Sequence, residues 1–502
     1  MMQTPLLLEI AAEAFPDRVA LASPGGTVDL ASCLARARTG ARWMMDQEGK
    51  SLVFLGLNGP TLPIALFASG LAGKPFAPLN YRLPDADLRR LLGRTAPSIA
   101  IVDADMLPRV ERVPGVTLVS RDAFDDACVA PALQCSDRPP VDQDIAVLLF
   151  TSGTTGEPKA AVLRHGNLTS YVISTVEFMG AEQDEAALIS VPPYHIAGVS
   201  AILTGVYGGR RLVYLPAFTP ETWVTAAQAE RITHAMVVPT MLGRILDVLE
   251  ARGETLPTLR AMSYGGGRMP QSVIERALRL LPHVDFVNAY GLTETSSTVA
   301  VLGPEDHRLA IATDDQAVRR RLGSVGRPLP TLELQIRGPD GTCQPAGVVG
   351  EVYVRGDQVA GEYLHQKVLT ADGWFPTNDA GWLDEAGYLF IDGRLDDLIL
   401  RGGENISPGE IEDVLRAHPL VQDVAVIGLP DDRWGERVAA VIVAIDASPE
   451  IADLSAWVKA RLRSTKTPEV WEFRSELPYN DTGKLLRRVL KAELSTLRAS
   501  AR

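Results

Sequence analysis

The chain has 502 residues, of which 46% are hydrophobic and 22% charged; these values are ordinary for a globular protein of more than one domain. The formal net charge of −13 argues against nucleic acid or an acidic membrane surface as partner, because both require a basic face. The four cysteines form no CxxC pair, so we predict reduced thiols and a cytoplasmic location.

The first apolar stretch of note, residues 51–73, carries no charge and raises the question of a membrane span. Asn58, Pro60 and Pro63 interrupt it. A short strand followed by a helix from about Pro60 explains the stretch better. We therefore predict no integral membrane association.

Short apolar runs then alternate with longer helical segments up to about residue 320, as in AVLLF (146–150) and FVNAYG (286–291). Continuous apolar strands between helices are typical of parallel sheets covered on both faces, with ligands bound at the carboxyl ends of the strands. We predict an α/β fold whose large N-terminal domain, residues 1–395, contains doubly wound, mainly parallel sheets.

The pattern changes near residue 323. LELQIR (332–337) and GEVYVRG (350–356) alternate strictly, which predicts antiparallel strands and a small β-barrel over about 323–393. A compact α+β domain follows at 396–502, where Ser407 to Glu410 fit a capping box that opens a helix.

Four stretches carry candidate chemistry. The first, TSGTTGEPK (151–159), follows the strand 146–150. Its backbone N–H groups and hydroxyls can form an anion nest, and Lys159 adds a positive charge. The spacing is not that of a P-loop. A plain Gly- and Thr-rich surface turn has the same composition, so this stretch alone favours phosphate only weakly.

The second stretch is NAYGLTE (288–294). Tyr290 offers a flat face for a purine, Thr293 a hydroxyl for a phosphate oxygen and Glu294 a carboxylate for Mg²⁺, which needs only one or two protein oxygens. Taken alone, an ordinary acid in the first turn of a helix explains Glu294 better than metal binding does.

The third and fourth stretches lie nearer the C-terminus. In 377–408, Asp379 and Arg394 can hydrogen-bond a ribose, although β-turns also use such residues. In NDTGKLLRR (480–488), Lys484 lies on an exposed turn, where a lysine is otherwise only a solvated charge.

Together and in this order, the four stretches resemble the AMP-forming acyl-CoA synthetases of the adenylate-forming superfamily, which also includes peptide-synthetase adenylation domains and beetle luciferases. The resemblance covers essentially the whole chain. It implies an ATP-dependent ligase that activates a carboxylic acid as acyl-AMP, releases pyrophosphate and transfers the acyl group to coenzyme A. The implied cofactors are ATP, Mg²⁺ and coenzyme A.

The resemblance also implies a nucleotide site. In the family, the loop at 151–159 binds the β- and γ-phosphates, and Glu294 with Thr151 would hold Mg²⁺. The stretch SYGGGRMP (263–270) resembles the adenine-wall loop but departs from the usual pattern at Gly267 and Arg268. The implied nucleotide-binding residues are Thr151, Ser152, Gly153, Thr154, Thr155, Gly156, Lys159, Gly266, Gly267, Asn288, Ala289, Tyr290, Gly291, Thr293, Asp379, Ile391 and Arg394.

Catalysis by the family uses a mobile C-terminal domain. Lys484 matches the lysine that bridges the attacking carboxylate and the α-phosphate. Asp396 matches the hinge about which the domain rotates for thioester formation. Rotation would bring Gly402 and Gly403 to the active site, where they would line a pantetheine tunnel for coenzyme A.

The acid pocket is implied by VPPYHIAGV (191–199), which resembles the family's aromatic-histidine motif and places the catalytic candidate His195 near the carbonyl. Residues 196–206 contain no acidic side chain, which argues against an amino-acid substrate. Small or apolar neighbours favour a medium-sized or bulky hydrophobic acid: Ala197, Gly198, Val199, Val238, Gly265 and Ser296.

Three alternatives stay open at this point. An acyl-AMP ligase that loads a carrier protein differs only in its acceptor, and a luciferase-like oxygenase shares every nucleotide motif. A non-catalytic nucleotide sensor on the same fold is disfavoured because Lys484, Glu294, Asp379 and Arg394 occur together. A homodimer is possible, as family members often dimerise.

The role of Lys484 gives a direct prediction. Lys484→Ala should lower the rate of acyl-adenylate formation by about 10²–10³, as for loss of one donor to a developing oxyanion. Pyrophosphate release in single turnovers measures this rate. A wild-type rate in the variant would refute the assignment.

Overall fold

A computed structural model describes residues 2–23, 25–130, 144–151, 158–431, 433–446, 448–479 and 485–499. The uncharged stretch at 51–73 forms a strand, Ser51–Leu55, and a helix, Thr61–Leu71, as predicted. Within the described ranges no helix combines the length and the apolar character that crossing a membrane requires.

The α-helices in these ranges are α1 (Thr4–Ala14), α2 (Leu30–Met45), α3 (Thr61–Leu71), α4 (Asp85–Gly93), α5 (Leu107–Val110), α6 (Arg121–Val129), α7 (His165–Thr175), α8 (Ile196–Gly208), α9 (Pro220–Ala229), α10 (Pro239–Arg252), α11 (Gln271–Leu280), α12 (Pro304–Ala312), α13 (Gln316–Arg319), α14 (Pro408–Arg416), α15 (Ile451–Lys459) and α16 (Arg487–Ala499).

The strands, in chain order, are β1 (Val19–Ser23), β2 (Gly26–Asp29), β3 (Ser51–Leu55), β4 (Phe76–Pro78), β5 (Ser98–Val102), β6 (Val116–Ser120), β7 (Ile145–Thr151), β8 (Lys159–Arg164), β9 (Ala186–Ile189), β10 (Arg211–Tyr214), β11 (His234–Val237), β12 (Ala261–Gly265), β13 (Asp285–Leu292), β14 (Ser297–Leu302), β15 (Arg327–Pro328), β16 (Glu333–Arg337), β17 (Gly350–Arg355), β18 (Glu362–Tyr363), β19 (Gln366–Lys367), β20 (Phe375–Leu383), β21 (Leu389–Arg394), β22 (Ile399–Arg401), β23 (Glu404–Ile406), β24 (Val421–Asp431), β25 (Gly435–Ala444) and β26 (Val470–Phe473).

Two large sheets form the N-terminal part of the chain. One has nine strands in the order β15-β14-β13-β12-β11-β9-β10-β1-β2, and the other has eight in the order β19-β18-β8-β7-β4-β3-β5-β6. Their central strands pair in parallel. All five residues of β5 are buried, as expected for a parallel strand with helices on both faces. The predicted α/β class is confirmed.

The alternating stretches after residue 323 form antiparallel strands, in the order β16-β17-β20-β21. Within the described ranges no pairing joins β16 to β21. This region is therefore an open sheet rather than the closed barrel that we predicted, since four strands are too few to close around packed side chains.

The last part of the chain is a small α+β unit. Its sheet has the order β23-β22-β25-β24, with β26 parallel to β25. Helices α14 and α15 pack on one face through Ile411 and Leu454, and α16 packs on the other through Leu490. The proposed division of the chain at residues 395 and 396 stays a prediction.

The start of α14 differs in one respect from the prediction. Ser407 is the residue before the helix and Pro408 is its first residue, as expected. The Ser407 side chain makes no capping hydrogen bond, because its hydroxyl donates to the Asp392 carbonyl at 2.8 Å instead. The predicted capping box is therefore wrong, and the hydroxyl connects α14 to β21.

A buried ion pair fixes α16. Arg487 donates to both carboxylate oxygens of Glu412, at 2.6 and 2.7 Å, and the Glu412 side chain is only 6% exposed. Arg487→Ala should lower the free energy of unfolding by about 3 kcal/mol, because it leaves a buried carboxylate unpaired. Denaturant unfolding measures the change. The control is Arg474→Ala, which removes a more exposed pair with Glu493 on the same helix and should cost under about 1 kcal/mol. Equal losses would contradict the prediction.

Candidate active site

The predicted acid-pocket residues lie at one edge of the nine-stranded sheet. Strands β13, β12, β11 and β9 are consecutive parallel neighbours, so their carboxyl ends meet at the same edge. Gly265 ends β12, and His195, Val238 and Ser296 follow β9, β11 and β13, respectively. Parallel pairing thus gathers at one edge residues that are as far apart in sequence as His195 and Ser296.

His195 precedes α8 and occupies its N-cap position. Its ring lies beside the ring of Tyr194, with 4.6 Å between centroids. Ala197, Gly198 and Val199 follow in the first turn of α8, and a Cβ on Gly198 would lie 3.0 Å from a backbone carbonyl. The first turn of this helix therefore packs tightly beside the histidine.

Ser296 closes the other side of this region. It is fully buried with a φ of +56°, so the chain turns sharply after the short 3₁₀ helix Thr293–Thr295. The next residue, Ser297, lies within hydrogen-bond distance of Ser200 on α8, with 3.3 Å between hydroxyl oxygens. Hydroxyl groups thus join α8 to β14 next to the predicted pocket.

Glycines allow the backbone to pass closely around the predicted adenine site. A Cβ on Gly291 would lie 1.8 Å from the Ser297 carbonyl oxygen, at a shift in the β13–β14 register, so only glycine fits there. Gly266 has a φ of +77°, a conformation that favours glycine. The neighbouring Gly267, in the same loop, meets only Pro239 at 3.9 Å.

Tyr290, Asp379 and Arg394 form one hydrogen-bonded group. The Tyr290 hydroxyl donates to Asp379 at 2.6 Å, and Arg394 lies 3.2 Å from the other oxygen of this carboxylate. Asp379 and Arg394 are paired residues on β20 and β21. Burial and the adjacent carboxylate raise the pKa of Tyr290 well above its usual value, so the phenol stays protonated and keeps donating.

Other predicted nucleotide residues surround this group. Tyr290 and Ile391 pack against the same apolar cluster. The Asn288 side chain donates to the Ser324 carbonyl at 3.1 Å, and a Cβ on Gly265 would lie 2.3 Å from the Ala289 carbonyl. The side-chain amide of Asn288 is therefore engaged with the protein itself.

The predicted phosphate loop joins β7 to β8, where Thr151 pairs with Lys159. The Thr151 hydroxyl lies 3.4 Å from the Lys159 carbonyl oxygen, and the Lys159 ammonium lies 5.3 Å from the centre of the Tyr363 ring. Both ends of the loop thus lie at the carboxyl edge of the eight-stranded sheet. The predicted residues Ser152, Gly153, Thr154, Thr155, Gly156 and Lys484 lie outside the described residues.

Glu294 is the predicted metal ligand, and it lies in the 3₁₀ helix after β13. The residue is 8% exposed, and one carboxylate oxygen accepts a 2.6 Å hydrogen bond from Tyr363. No side chain in the described ranges donates to its other oxygen. A carboxylate with one oxygen held and one available is a hard donor of the kind that Mg²⁺ prefers, so the site fits the ion.

The predicted hinge and tunnel residues lie in the C-terminal part. Asp396 is in a 3₁₀ helix, Leu395–Asp397, and its carboxylate accepts from Asn378 at 3.0 Å. Gly402 and Gly403 both have positive φ and form the turn between β22 and β23, as a tight hairpin turn requires. Gly402 also donates to the Trp434 carbonyl at 2.8 Å.

Sequence reasoning missed two contacts near the site. Tyr363 was not singled out, because its strand is only two residues long and gives no periodic signal. Arg268, recognised only as a departure from the family pattern, forms an ion pair with Asp413 on α14. Neither contact is detectable from local sequence, because its two residues are far apart in the chain. Tyr363 is 69 positions from Glu294, and Arg268 is 145 positions from Asp413.

Comparison with known proteins shows the family of the chain. The family model described as AMP-binding enzyme matches residues 8–364, and the model of the AMP-binding enzyme C-terminal domain matches 410–484. Feruloyl-CoA synthase of an Amycolatopsis species is 35% identical over 92% of this chain and 93% of its own. A fatty acid–[acyl-carrier-protein] ligase of Streptomyces coeruleorubidus is 32% identical over 88% and 86%, respectively.

A similar solved structure is that of o-succinylbenzoate CoA synthetase from Bacillus subtilis in complex with its acyl-adenylate intermediate. It has a TM-score of 0.85 and 28% identity, over 98% of this chain and 99% of its own. The predicted family, fold class and enzyme class, an AMP-forming acid–thiol ligase, are confirmed. The chain therefore belongs to the AMP-binding enzyme family, whose members are the adenylate-forming enzymes.

Proposed function

We propose that the chain is a carboxylic acid–CoA ligase for a bulky hydrophobic acid with an aromatic ring. The observation that carries this proposal is the convergence of two groups of residues on one sheet edge. One group is Tyr290, near the carboxyl end of β13, together with the Asp379–Arg394 pair of the antiparallel sheet to which it is hydrogen-bonded. The other is the apolar surroundings of His195. The ring is favoured because feruloyl-CoA synthase and o-succinylbenzoate CoA synthetase are both similar to the whole chain.

The first half-reaction is an in-line displacement at phosphorus. A carboxylate oxygen of the acid attacks the α-phosphate of ATP, and the bond to pyrophosphate breaks. The protein has to position two anions that repel each other and stabilise the charge that develops. We assign Asp379 and Arg394 to the ribose, Tyr290 to the adenine ring, Thr293 to the α-phosphate and Lys484 to the bridge between the reactants.

Lys159 and the loop before it are assigned to the β- and γ-phosphates. Magnesium, held by Glu294 and Thr151, would neutralise charge on the departing pyrophosphate. The hydrogen bond of Tyr290 to Asp379 supports the assignment of the nucleotide site. It fixes the carboxylate that we assign to the ribose beside the tyrosine that we assign to the adenine ring.

In the second half-reaction, the thiol of coenzyme A attacks the acyl carbonyl, and AMP leaves. The tight turn at Gly402 and Gly403 exposes backbone without side chains, which suits a narrow tunnel for pantetheine. A carrier-protein thiol is the alternative acceptor, favoured by the similarity to the carrier-protein ligase. The homodimer and the cytoplasmic location stay predictions.

The acid can be identified with a panel of carboxylates. Pyrophosphate release should be fastest with aryl and arylpropenoic acids and slow with short acids, because the residues around His195 are small or apolar and include no acidic side chain between 196 and 206. Each assay is run with and without coenzyme A, and thioester is measured by mass spectrometry. Activity restricted to acetate or malonate would contradict the proposed substrate class, and turnover that needs a carrier protein would favour the alternative acceptor.

The hinge is tested with Asp396→Pro. Proline adopts and fixes the φ of a 3₁₀ position such as that of Asp396, so rotation about this residue should be restricted. One half-reaction should then survive, and we expect acyl-adenylate formation to be retained and thioester formation lost. Asp396→Ala is the matched control, because it removes the side chain and its hydrogen bond with Asn378 but leaves the backbone free to rotate, and it should keep both half-reactions. Equal loss of both half-reactions in the Asp396 variant would count against the hinge.

A further inference from the structure

Tyr363 contacts both halves of the predicted phosphate site. It lies in β18, which pairs with β8 so that Tyr363 faces Ala161. Its hydroxyl donates to Glu294 at 2.6 Å, and its ring lies 5.3 Å from the ammonium of Lys159. Lys159 is two residues from Ala161 and therefore on the same face of β8, at the diagonal position that long side chains reach.

A salt bridge fixes the position of this short strand. Glu362 receives hydrogen bonds from two nitrogens of Arg164, on β8, at 2.9–3.0 Å, and Arg164 also donates to Asp144 at 2.7 Å. Such bidentate pairs restrict geometry more than a single bond does. Because successive side chains of a strand point to opposite faces, fixing Glu362 on one face fixes Tyr363 on the other.

The segment that carries Tyr363 also holds the backbone of Glu294. The Ala360 and Gly361 amides donate to the Glu294 carbonyl at 2.9 and 3.3 Å. Gln358 donates to the carbonyls of Thr295 and Thr298 at 3.0 and 2.8 Å. Glu294 is thus held at its main chain and at one carboxylate oxygen by a single segment, residues 358–363, which comes from the opposite large sheet.

We infer that Tyr363 is a positioning residue for magnesium. Its hydroxyl holds one oxygen of Glu294 and thereby aims the other at the metal, while its ring supports Lys159 beside the same phosphates. The inference rests on the proposed role of Glu294 as metal ligand. It deepens that proposal, because it makes the metal ligand and the phosphate-binding lysine parts of one rigid unit joined through an aromatic side chain.

The test is the gain in ATP affinity that Mg²⁺ provides, measured by calorimetry without any acid, so that no turnover occurs. Kd for ATP is determined in EDTA and in saturating Mg²⁺. Tyr363→Phe keeps the ring but removes the hydroxyl. It should reduce the gain about tenfold, the value expected for one hydrogen bond to a charged group, with Kd in EDTA unchanged.

Tyr388→Phe is the matched control, because its hydroxyl donates to Asp306 at the same distance of 2.6 Å in a region outside the proposed site. This variant should keep the wild-type gain and the wild-type Kd. In turnover assays, Tyr363→Phe should raise the Mg²⁺ concentration that gives the half-maximal rate. The fold-increase in this concentration should exceed the fold-decrease in the rate at saturating Mg²⁺.

Glu294→Gln distinguishes the metal role of Glu294 from the positioning role of Tyr363. A reduced gain in Glu294→Gln together with a wild-type gain in Tyr363→Phe would overturn the inference and leave the metal role of Glu294 standing. A wild-type gain in both variants would overturn that metal role as well. Equal weakening of ATP binding by Tyr363→Phe in EDTA and in Mg²⁺ would assign Tyr363 a general structural role and would also overturn the inference.

Discussion

Parallel strand pairing is the constraint on which the whole site depends. In a parallel sheet every carboxyl end lies at the same edge, so β9, β11, β12 and β13 present their following loops together. His195 and Ser296 therefore lie at the same edge of the sheet although 100 residues stand between them in the chain. In the eight-stranded sheet, parallel pairing likewise places the loop after β7 at the carboxyl edge. The phosphate and acid groups of the reaction can therefore be bound by loops without any single long insertion.

The two large sheets share one hydrophobic core, and side-chain hydrogen bonds also connect their elements at the site itself. Tyr363 extends from the eight-stranded sheet to Glu294 on the nine-stranded sheet. Tyr290 extends from the nine-stranded sheet to Asp379 in the antiparallel sheet. Both bonds are phenol-to-carboxylate contacts of 2.6 Å, and charge-assisted bonds of this kind are stronger than neutral ones. Each of the two carboxylates, the predicted metal ligand Glu294 and the predicted ribose ligand Asp379, is thus oriented by a tyrosine from a different sheet.

Much of the fold could be predicted because its strands are locally distinctive. The apolar residues of β5 and β7 form continuous runs, which predict strands buried on both faces. Those of β16 and β17 alternate with polar residues, which predicts strands buried on one face. The hydroxyl of Ser407 could not be assigned, because its acceptor, the Asp392 carbonyl, belongs to another element. That the antiparallel sheet stays open could not be predicted either, because local sequence does not show which distant strands pair.

The candidate site divides in the same way. Tyr290, Glu294 and Asp379 were identifiable because they lie in motifs, but their hydrogen-bond partners were not. Tyr363 lies in a strand of two residues, too short for any periodicity. Its position depends on the Arg164–Glu362 salt bridge, which joins residues 198 positions apart. Motifs therefore identify the candidate binding groups, whereas the groups that orient them become visible only in three dimensions.

The C-terminal unit contacts the predicted adenine loop through Arg268, the residue at which this loop differs from the family pattern. This residue forms an ion pair with Asp413 on α14, and the two side chains are 41% and 42% exposed. Exposed pairs contribute at most about 1 kcal/mol, so this contact can break and re-form without a large barrier. A Cβ on Gly409 would lie 2.5 Å from the same guanidinium, so a larger residue at this position would displace the end of the Arg268 side chain. A weak ionic contact suits the proposed rotation of the C-terminal unit between the two half-reactions, whereas an apolar interface would oppose it.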